Sequence, residues 1–340
     1  MNIRNLPKCE ELHSCPVCHS KNVKFWSQAR DLLTQSSDQV FAYTQCLNCK
    51  CLYMSTRPIE ADVSFFYSDE YHPYQSHLIA ASDRKLFSNT LKKFIRPFAS
   101  RLKRLISRIA VKSSLEKRVA CFYSQLSEQK VFVDFGCGAG KYLNKMRSSG
   151  CKTIGVDFSP IAIGAITENQ HEGYLVSDFW QKIHNESIDL VRMNHVVEHL
   201  YTPKDTLENI SLKIKKGGGL HIAVPNPAGI SSTIFGRNWH GLDCPRHVIL
   251  YPPNSLVSLL KDIGFNQFEI VHESINKDFV RSLGYFLANF GLLELSKVND
   301  LMYSRSLSFL FWLPLKMASV MGVGDRYHIF CVKNPAKNSN

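Results

Sequence analysis

Short apolar runs alternate with amphipathic stretches through the middle of the chain. Residues 131–134 and 153–157 are rich in β-favouring side chains, and residues 141–148 between them space their apolar side chains as a helix does. Further strand-like runs occur at 174–180, within 189–200 and, after another helical stretch, at 217–227. Strands that alternate with helices predict an α/β domain whose parallel strands end in polar groups at one edge of the sheet.

A glycine turn follows the first of these strands. Gly136, Gly138 and Gly140 stand at alternate positions, with Asp134 two residues before the first glycine. Glycine permits a sharp turn with the backbone close to a ligand, which a Cβ would obstruct. The spacing Gly-x-Gly-x-Gly differs from the Gly-x-Gly-x-x-Gly of dinucleotide sites, which disfavours a Rossmann dehydrogenase. An α/β core whose glycine turns bind nothing is the remaining alternative.

The glycine turn and the strand ends resemble the class I S-adenosylmethionine-dependent methyltransferases, over about residues 120–274 and a terminal strand. The resemblance implies a Rossmann-like seven-stranded α/β sheet with helices on both faces, and S-adenosylmethionine as cofactor. Asp134 and the glycines would lie against its methionine part and ribose, and Asp157 would bind the ribose. The third strand would end in Asp178, at the adenine edge. The implied cofactor residues are Asp134, Gly136, Gly138, Gly140, Asp157, Phe158, Asp178, Phe179 and Asn194.

Two cysteine pairs precede this domain. Cys15 and Cys18 form one Cys-x-x-Cys pair, and Cys46 and Cys49 form the other. Four thiolates from two such pairs are the ligands that a tetrahedral structural zinc prefers, so we predict a zinc ribbon over residues 9–60. A redox role is the lesser alternative. We predict a connector over residues 61–118 and the methyltransferase domain over residues 119–335.

The segment after the second pair resembles the zinc-binding N-terminal module of methyltransferases in sugar and cell-surface polysaccharide pathways. This resemblance implies that aromatic residues of the module help to close the substrate pocket. Tyr67, Tyr71 and Tyr74 are the candidates here. The alternative is that they pack the ribbon against the catalytic domain, as interface aromatics commonly do.

The net charge of +12 is concentrated in residues 84–118, which hold twelve basic residues and one acid. The apolar spacing predicts two amphipathic helices interrupted near Pro97. Such helices suit peripheral binding to an anionic membrane surface, or docking on the catalytic domain with a solvated basic face. Phosphate binding to RNA is a third possibility, but nucleic acid is not the expected partner because glycine-aromatic interleaving is absent from this segment.

The N-terminus lacks the apolar segment of a secretory signal, and the eleven cysteines then favour a reducing compartment, so we expect a cytoplasmic protein. The 44% hydrophobic content is ample for a buried core. Residues 275–324 are rich in Leu, Phe and Trp and interrupt the expected last strand pair. They predict a helical insertion that serves as a lid, a membrane-surface patch or a dimer interface.

The candidate chemistry follows the fourth strand. His195, Glu198 and His199 fall at i, i+3 and i+4, and their run resembles the corresponding motif of ubiquinone-type O-methyltransferases. A histidine is a suitable general base for methyl transfer, and we predict all three residues to be catalytic. The same spacing also suits a divalent metal, and the alternative that one residue only orients the next helix stays open.

The loop after the fifth strand resembles a substrate-side loop of polysaccharide-cluster methyltransferases. It implies a substrate site of Trp239, His240, Asp243, Arg246 and His247, with the Trp239 ring on a sugar face and the polar groups on hydroxyls or phosphate. We therefore predict methylation of a small molecule or a glycan precursor, at a sugar hydroxyl or carbon, on a nucleotide- or lipid-linked substrate. A tRNA or rRNA methyltransferase or binding protein is the alternative.

Overall fold

A computed structural model describes residues 7–67, 114–124 and 129–335 of the chain. The two basic helices predicted within residues 84–118 lie outside the described residues, except for the last five positions, as do Tyr71 and Tyr74. Within the described ranges, no helix is both long and apolar enough to cross a membrane.

The N-terminal module is built from short antiparallel strands. Strand β1 (Cys9–Glu11) pairs with β5 (Thr56–Pro58). Strands β2 (Val23–Ala29), β3 (Phe41–Cys46) and β4 (Leu52–Met54) form a second sheet in that order. A 3₁₀ turn at Glu60–Phe66 leads out of the module. The two cysteine pairs lie at the turns of this module, as the ribbon prediction requires.

The catalytic domain alternates strands with helices, as the pattern predicts. Helix α1 (Ser114–Tyr123) precedes the sheet. The elements that follow are β6 (Val131–Phe135), α2 (Lys141–Arg147), β7 (Lys152–Asp157), α3 (Pro160–Glu168), β8 (Glu172–Leu175), α4 (Val176–Lys182), β9 (Ile188–Asn194), α5 (Pro203–Lys213), β10 (Ile214–Pro225), α6 (Ile230–Phe235), β11 (Ile249–Leu250), α7 (Pro253–Asp262) and β12 (Phe265–Glu273). Helices α8 (Asn276–Asn289), α9 (Val298–Met302) and α10 (Arg305–Val320) come next, and β13 (Arg326–Lys333) ends the domain.

Seven of these strands form one sheet in the order β12-β13-β10-β9-β6-β7-β8. Strands β9, β6, β7 and β8 run parallel to β10, and β13 runs antiparallel to both of its neighbours. The predicted seven-stranded α/β fold is confirmed. The strand order reverses at β6, and ligands of such sheets bind outside the carboxyl ends of the strands at the point of reversal.

The third strand ends earlier than predicted. Strand β8 stops at Leu175, and Asp178 and Phe179 lie on helix α4 instead of at a strand end. Asp178 stands in the first turn of α4, where a carboxylate interacts favourably with the helix dipole, and it pairs with Lys182 one turn on. These local helix signals explain why the chain leaves the strand before the expected aspartate.

The insertion between the last two strands is helical in the structure. Strands β12 and β13 pair antiparallel, and helices α8, α9 and α10 are inserted between them. Helix α8 buries Phe279, Val280 and Tyr285 against the domain, whereas α10 leaves Leu310 and Val320 exposed at 62% and 80%. The segment thus consists mainly of helices, and its role stays a prediction.

The N-terminal module and the catalytic domain share a sheet. Strand β11 belongs to the catalytic chain, yet it pairs antiparallel with β4, with Ile249 opposite Tyr53. The amide of Met54 also donates to the carbonyl of Val248 at 2.9 Å. Because strand pairing fixes the backbone of both partners, the N-terminal module holds the segment that follows the loop at 236–248 in place.

Candidate functional site

The glycine turn after β6 has the backbone that its composition predicts. Gly136, Gly138 and Gly140 have φ values of +80°, +49° and +73°, in the left-handed region that favours glycine. A Cβ on Gly136 would lie 2.4 Å from Cγ2 of Val196, so the turn packs directly on the segment after β9. A Cβ on Gly138 would meet no atom within 4 Å among the described residues. The turn is therefore closed toward β9 and open at Gly138.

Asp157 stands at the end of β7, beside this turn. Its Oδ2 accepts the amide of Gly138 at 2.9 Å, and its Oδ1 accepts the amide of Ser159 at 3.0 Å. Burial raises the pKa of the Asp157 carboxyl, and these backbone hydrogen bonds oppose that effect. Each carboxylate oxygen keeps a second lone pair, so the group can hold the turn and still accept a ribose hydroxyl.

Asp134 lies on β6 and is 1% exposed. Its carboxylate pairs with the guanidinium of Arg192 at 2.8 Å, and Arg192 also lies 4.0 Å from the ring of Tyr142. Burial raises the pKa of Asp134, and the charge of Arg192 acts in the opposite direction. The structure thus gives Asp134 a protein partner, and direct contact with the cofactor stays a prediction.

The remaining predicted cofactor residues differ in exposure. The ring of Phe158 is 60% exposed and lies edge-on to Tyr67, with 5.8 Å between centroids. Phe179, by contrast, is fully buried against Phe135. In this structure Phe179 therefore offers no open ring face to adenine, and it contributes packing beneath the strand ends.

The segment after β9 brings His195 and Glu198 together. His195 has a φ of +55°, an uncommon value for a residue with a Cβ, and its amide donates to the carbonyl of Ala223. Its Nδ1 lies 2.8 Å from Oε1 of Glu198, which is 0% exposed. Burial raises the pKa of this carboxyl, but the hydrogen bond and the charges of the surrounding histidines outweigh burial and lower it to about 2. Glu198 is therefore an anion, and Nδ1 of His195 carries the hydrogen.

His199 has hydrogen-bond partners outside that pair. Its Nδ1 lies 2.9 Å from the carbonyl oxygen of Arg246 and 3.0 Å from the hydroxyl of Tyr67. Burial and the neighbouring His247 lower the pKa of His199 to about 4. The predicted grouping of His195, Glu198 and His199 on one face is wrong in detail, because His195 lies outside the single 3₁₀ turn at Val197–His199.

His247 lies beside both Glu198 and His199. Its ring lies 4.7 Å from the His199 ring, and its Nε2 is 3.8 Å from Oε1 of Glu198. Its Nδ1 donates to the carbonyl of Gly241 at 2.8 Å. Ligand atoms of Glu198, His199 and His247 lie within 4.8 Å of one another. His247, which was predicted on the substrate side, thus lies beside two of the predicted catalytic residues, Glu198 and His199.

Arg246 and Asp243 do not form an open phosphate site. Arg246 has a fully buried side chain that pairs with Asp31 at 2.9 Å and with Asp243 at 2.8 Å. It also donates to the carbonyl of Phe66 at 3.1 Å. Burial tends to lower the pKa of the guanidinium, but the two carboxylates outweigh that effect and raise it. The expectation that Arg246 binds substrate is corrected, since its donors are occupied within the protein.

Trp239 and His240 are also placed away from open solvent. Trp239 is 3% exposed within a core cluster that includes Phe41, so its predicted sugar-stacking face is covered in this structure. The backbone amide of His240 donates to Ser282 Oγ on α8 at 2.9 Å, which ties this position to the helical insertion. Burial lowers the pKa of His240 to about 4. These side chains support the loop from within.

The N-terminal module contributes directly to the site. Tyr67 contacts both His199 and Phe158, as the resemblance implies for an aromatic residue of this module. Tyr43 donates from its hydroxyl to the carbonyl of His247 at 3.3 Å. Asp31 and Tyr43 were not predicted as site residues, because neither shows a motif or a periodicity that links it to a loop about 200 positions away.

The four predicted thiols lie together at the turns of this module. The Sγ atoms of Cys15 and Cys49 are 3.5 Å apart, as are those of Cys18 and Cys46, and all four lie within 4.8 Å of one another. Four thiolates at about 2.3 Å from one tetrahedral zinc lie at comparable separations. The cluster therefore fits a structural zinc.

The strand order, the glycine turn and the acid after β7 define the cofactor edge of a class I methyltransferase. A family model described as a methyltransferase domain matches residues 98–270, which is half of the chain. The chain belongs to this methyltransferase-domain family.

The chain is also similar to a mitochondrial ubiquinone biosynthesis O-methyltransferase of Schizosaccharomyces pombe. The two are 28% identical over 116 residues, which is 32% of this chain and 40% of that protein. A solved structure described as an S-adenosylmethionine-dependent methyltransferase from Archaeoglobus fulgidus is 20% identical with a TM-score of 0.42, and the match covers 71% of this chain and 97% of that one. The structure of Haemonchus contortus phosphoethanolamine N-methyltransferase 2 in complex with S-adenosyl-L-methionine is 14% identical with a TM-score of 0.43. That match covers 92% of this chain and 68% of that one.

Proposed function

We propose that this protein transfers the methyl group of S-adenosylmethionine to a hydroxyl or a carbon of a small molecule or glycan precursor, in cell-surface polysaccharide or related biosynthesis. One observation carries the proposal. Val196, which directly follows His195 in the chain, packs against Gly136 of the glycine turn, so the His195–Glu198 pair is attached to the segment that covers the turn. A cofactor on the turn is thus adjacent to a candidate base.

The residues at the strand ends fit this cofactor. Gly138 leaves open space above the turn, where a side chain would obstruct a ligand. Asp157 retains acceptor capacity for ribose hydroxyls. When bound, S-adenosylmethionine supplies an electrophilic methyl group on a sulfonium, and the protein has to hold the acceptor in line with it.

We propose His195 as the general base and Glu198 as the residue that orients it. The Nδ1 hydrogen is held by the Glu198 carboxylate, so Nε2 has a free lone pair, and the side chain is 30% exposed. A buried carboxylate in this position fixes the tautomer and stabilises the imidazolium, as in other acid-histidine pairs. His199 is a weaker candidate, since its low pKa makes it a poor proton acceptor.

The walls of the site support a small polar acceptor. The Tyr67 hydroxyl and the exposed ring of Phe158 provide one polar and one apolar contact next to His199. An aromatic ring and a hydroxyl together are suited to a sugar or a phenol, which present both apolar faces and hydroxyl edges. The similarity to a ubiquinone biosynthesis O-methyltransferase supports a hydroxyl as the acceptor group.

The proposal is tested by methyl transfer from labelled S-adenosylmethionine into a nucleotide-sugar and lipid-linked glycan pool. The wild-type protein is expected to label this pool. Replacement His195→Ala is expected to reduce labelling by 10²- to 10⁴-fold, the usual contribution of a general base, while cofactor binding is retained. Labelling of tRNA or rRNA alone would contradict the proposed acceptor. Equal labelling by both proteins would contradict the assignment of His195.

A further inference from the structure

We propose that Glu198, His199 and His247 form a binding site for one divalent transition-metal ion, separate from the four-cysteine cluster. The inference deepens the proposed function and rests on it only for the role of the ion in methyl transfer. The ligand atoms of the three side chains converge to within 4.8 Å of one another. Two histidines and one carboxylate are a recognised ligand set for divalent metals, with positions left open for a substrate.

Both histidines are held as metal ligands usually are. The Nδ1 of His247 donates to the carbonyl of Gly241, and the Nδ1 of His199 donates to the carbonyl of Arg246. A carbonyl oxygen can only accept, so Nδ1 carries the hydrogen in each ring, and Nε2 keeps its lone pair. A backbone carbonyl on the second ring nitrogen is the usual outer partner of a metal-bound histidine, because it fixes the tautomer and the ring orientation.

One oxygen of the Glu198 carboxylate lacks a hydrogen-bond partner among the described residues. Oε2 of Glu198 is buried and has no hydrogen-bond partner within the described part of the chain. The side chain is 0% exposed, and Oε1 is already bonded to His195. A buried carboxylate oxygen without a partner is costly, and a cation would satisfy it. Oε1 would remain with His195 as the outer partner of the ligand.

The distances allow an ion with a small adjustment. Two ligands at about 2.1 Å from the same ion are separated by at most about 4.2 Å. Nε2 of His247 lies 3.8 Å from the Glu198 carboxylate, at Oε1, and one ligand atom of each of the three side chains lies within 4.8 Å of the others. A shift of less than about 1 Å in the side chains would bring these atoms within reach of one ion.

The charge around the cluster also favours a cation. Asp243 is an anion whose Oδ2 lies 3.8 Å from Nε2 of His247, and Asp31 lies behind it. Arg246 pairs with both of these carboxylates but carries a single positive charge. With Glu198, the buried groups carry more negative than positive charge, which is favourable for a divalent ion.

The ion would act on the acceptor. Coordination of an acceptor hydroxyl lowers its pKa, so that His195 can take the proton at neutral pH. The oxygen electron pair then forms the new O–CH₃ bond, and the electron pair of the S–CH₃ bond stays on sulfur to give S-adenosylhomocysteine. The assignment of His195 as base and of His199 and His247 as ligands gives each group in the cluster a distinct role.

The test uses Co²⁺, whose visible absorption reports its ligands. Full-length protein with zinc retained in the cysteine cluster is titrated with CoCl₂, and bound cobalt is also counted by elemental analysis. Wild type is expected to take up one equivalent with absorption from nitrogen and oxygen ligands and without thiolate charge-transfer bands. Its unfolding temperature should rise, because a ligand of the native state stabilises it.

The decisive variant is His199→Ala, since His199 is partly exposed and its loss should leave the core intact. Its Co²⁺ affinity is expected to fall by at least 10-fold. The variants His247→Ala and Glu198→Gln should lose Co²⁺ affinity to the same extent as His199→Ala. The matched control is His184→Ala, an exposed histidine outside the cluster, which should bind as wild type does.

Two outcomes would overturn the metal site. Either the wild type takes up no cobalt beyond the cysteine cluster, or His199→Ala binds cobalt as tightly as the wild type. Calorimetry with S-adenosylmethionine on the same samples separates this failure from that of the proposed function. If the cofactor binds and methyl is transferred in metal-depleted protein, the role of the ion in methyl transfer fails and the methyltransferase stands, while the cobalt result decides the site. If the cofactor does not bind, the methyltransferase fails, and the cobalt result still decides the site.

Discussion

The guanidinium of Arg246 donates to both carboxylate oxygens of Asp31, at 2.9 and 3.3 Å, across 215 residues of sequence. Both side chains are fully buried. The pair joins the N-terminal module to the loop that carries His247. Strands β4 and β11 also pair between the N-terminal module and the catalytic domain. We therefore infer that the module positions the loop that carries His247 as well as the His247 side chain.

Replacement Arg246→Met is expected to destabilise the protein by about 3–5 kcal/mol, since it leaves Asp31 and Asp243 as buried carboxylates without a cation. Urea unfolding at neutral pH measures the change. Arg237→Met is the control, because Arg237 is exposed and its loss should cost less than about 0.5 kcal/mol. Equal stabilities for the two variants would show that the buried pair is not coupled to folding.

Replacement Cys46→Ser is expected to remove the metal of the cysteine cluster and to lower the stability of the catalytic domain too. The reason is that β11 of the catalytic chain completes the sheet of the module. Zinc content should fall by one equivalent, and a loss of about 3 kcal/mol would lower the unfolding temperature by about 6–12 °C. Cys121→Ser, at an exposed position on α1, should change neither quantity. Full zinc content in Cys46→Ser would refute the ribbon.

Replacement Gly136→Ala is expected to weaken binding of S-adenosylmethionine by at least 10-fold. The added Cβ would lie 2.4 Å from Val196, at a φ of +80° that alanine rarely adopts. Isothermal calorimetry measures the affinity. The control is Gly164→Ala in α3, where no atom of the described residues lies within 4 Å of the new Cβ. That variant should bind normally and gain up to about 1 kcal/mol of stability. Unchanged affinity in Gly136→Ala would contradict the assigned turn.

Acid is expected to destabilise the protein through His221. Burial, and then the neighbouring His328, lower the pKa of His221 well below its usual 6.5, and its Nδ1 is bonded to the hydroxyl of Tyr123 at 2.7 Å. The unfolded chain therefore binds the proton first as pH falls. The contribution of neutral His221 to the free energy of unfolding is present above about pH 6.5 and is lost as the pH falls further. The loss reaches about 1.4 kcal/mol at pH 5.5.

Urea unfolding at pH 7.5 and 5.5 measures this loss. The variant His221→Asn keeps a polar group opposite Tyr123 but cannot take up the proton. Its stability should fall less between the two pH values than that of the wild type. An equal fall in both proteins would exclude His221 as a source of the acid sensitivity.

The sequence predicts those parts of the fold that depend on residues close together in the chain. The glycine turn, the acid at Asp157 and the two cysteine pairs are local patterns, and the structure places Asp157 beside the turn and the four thiols together. Cofactor and zinc binding by these residues stay predictions. The predicted end of the third strand, at Asp178, is wrong by three residues, because β8 ends at Leu175. There the helix-forming signals around Asp178 outweigh the apolar run that precedes it.

The part that could not be predicted depends on contacts between distant residues. Arg246 and Trp239 are residue types that often contact substrates. In the structure, however, Arg246 is paired with Asp31, and Trp239 is buried in a core cluster with Phe41. In the same way, no sequence spacing indicates that His247 joins Glu198 and His199, while His195 keeps its hydrogen bond to Glu198. The pairing of β11 with β4 fixes the chain directly after His247.

The central claim is that S-adenosylmethionine binds at the carboxyl ends of β6 and β7, with Asp157 on its ribose. Calorimetry with S-adenosylmethionine on wild type, Asp157→Ala and the surface control Asp300→Asn tests it most directly. The account predicts one site in the wild type, an affinity at least 10-fold lower in Asp157→Ala, and no change in Asp300→Asn. No binding by the wild type, or equal affinity in all three proteins, would contradict it.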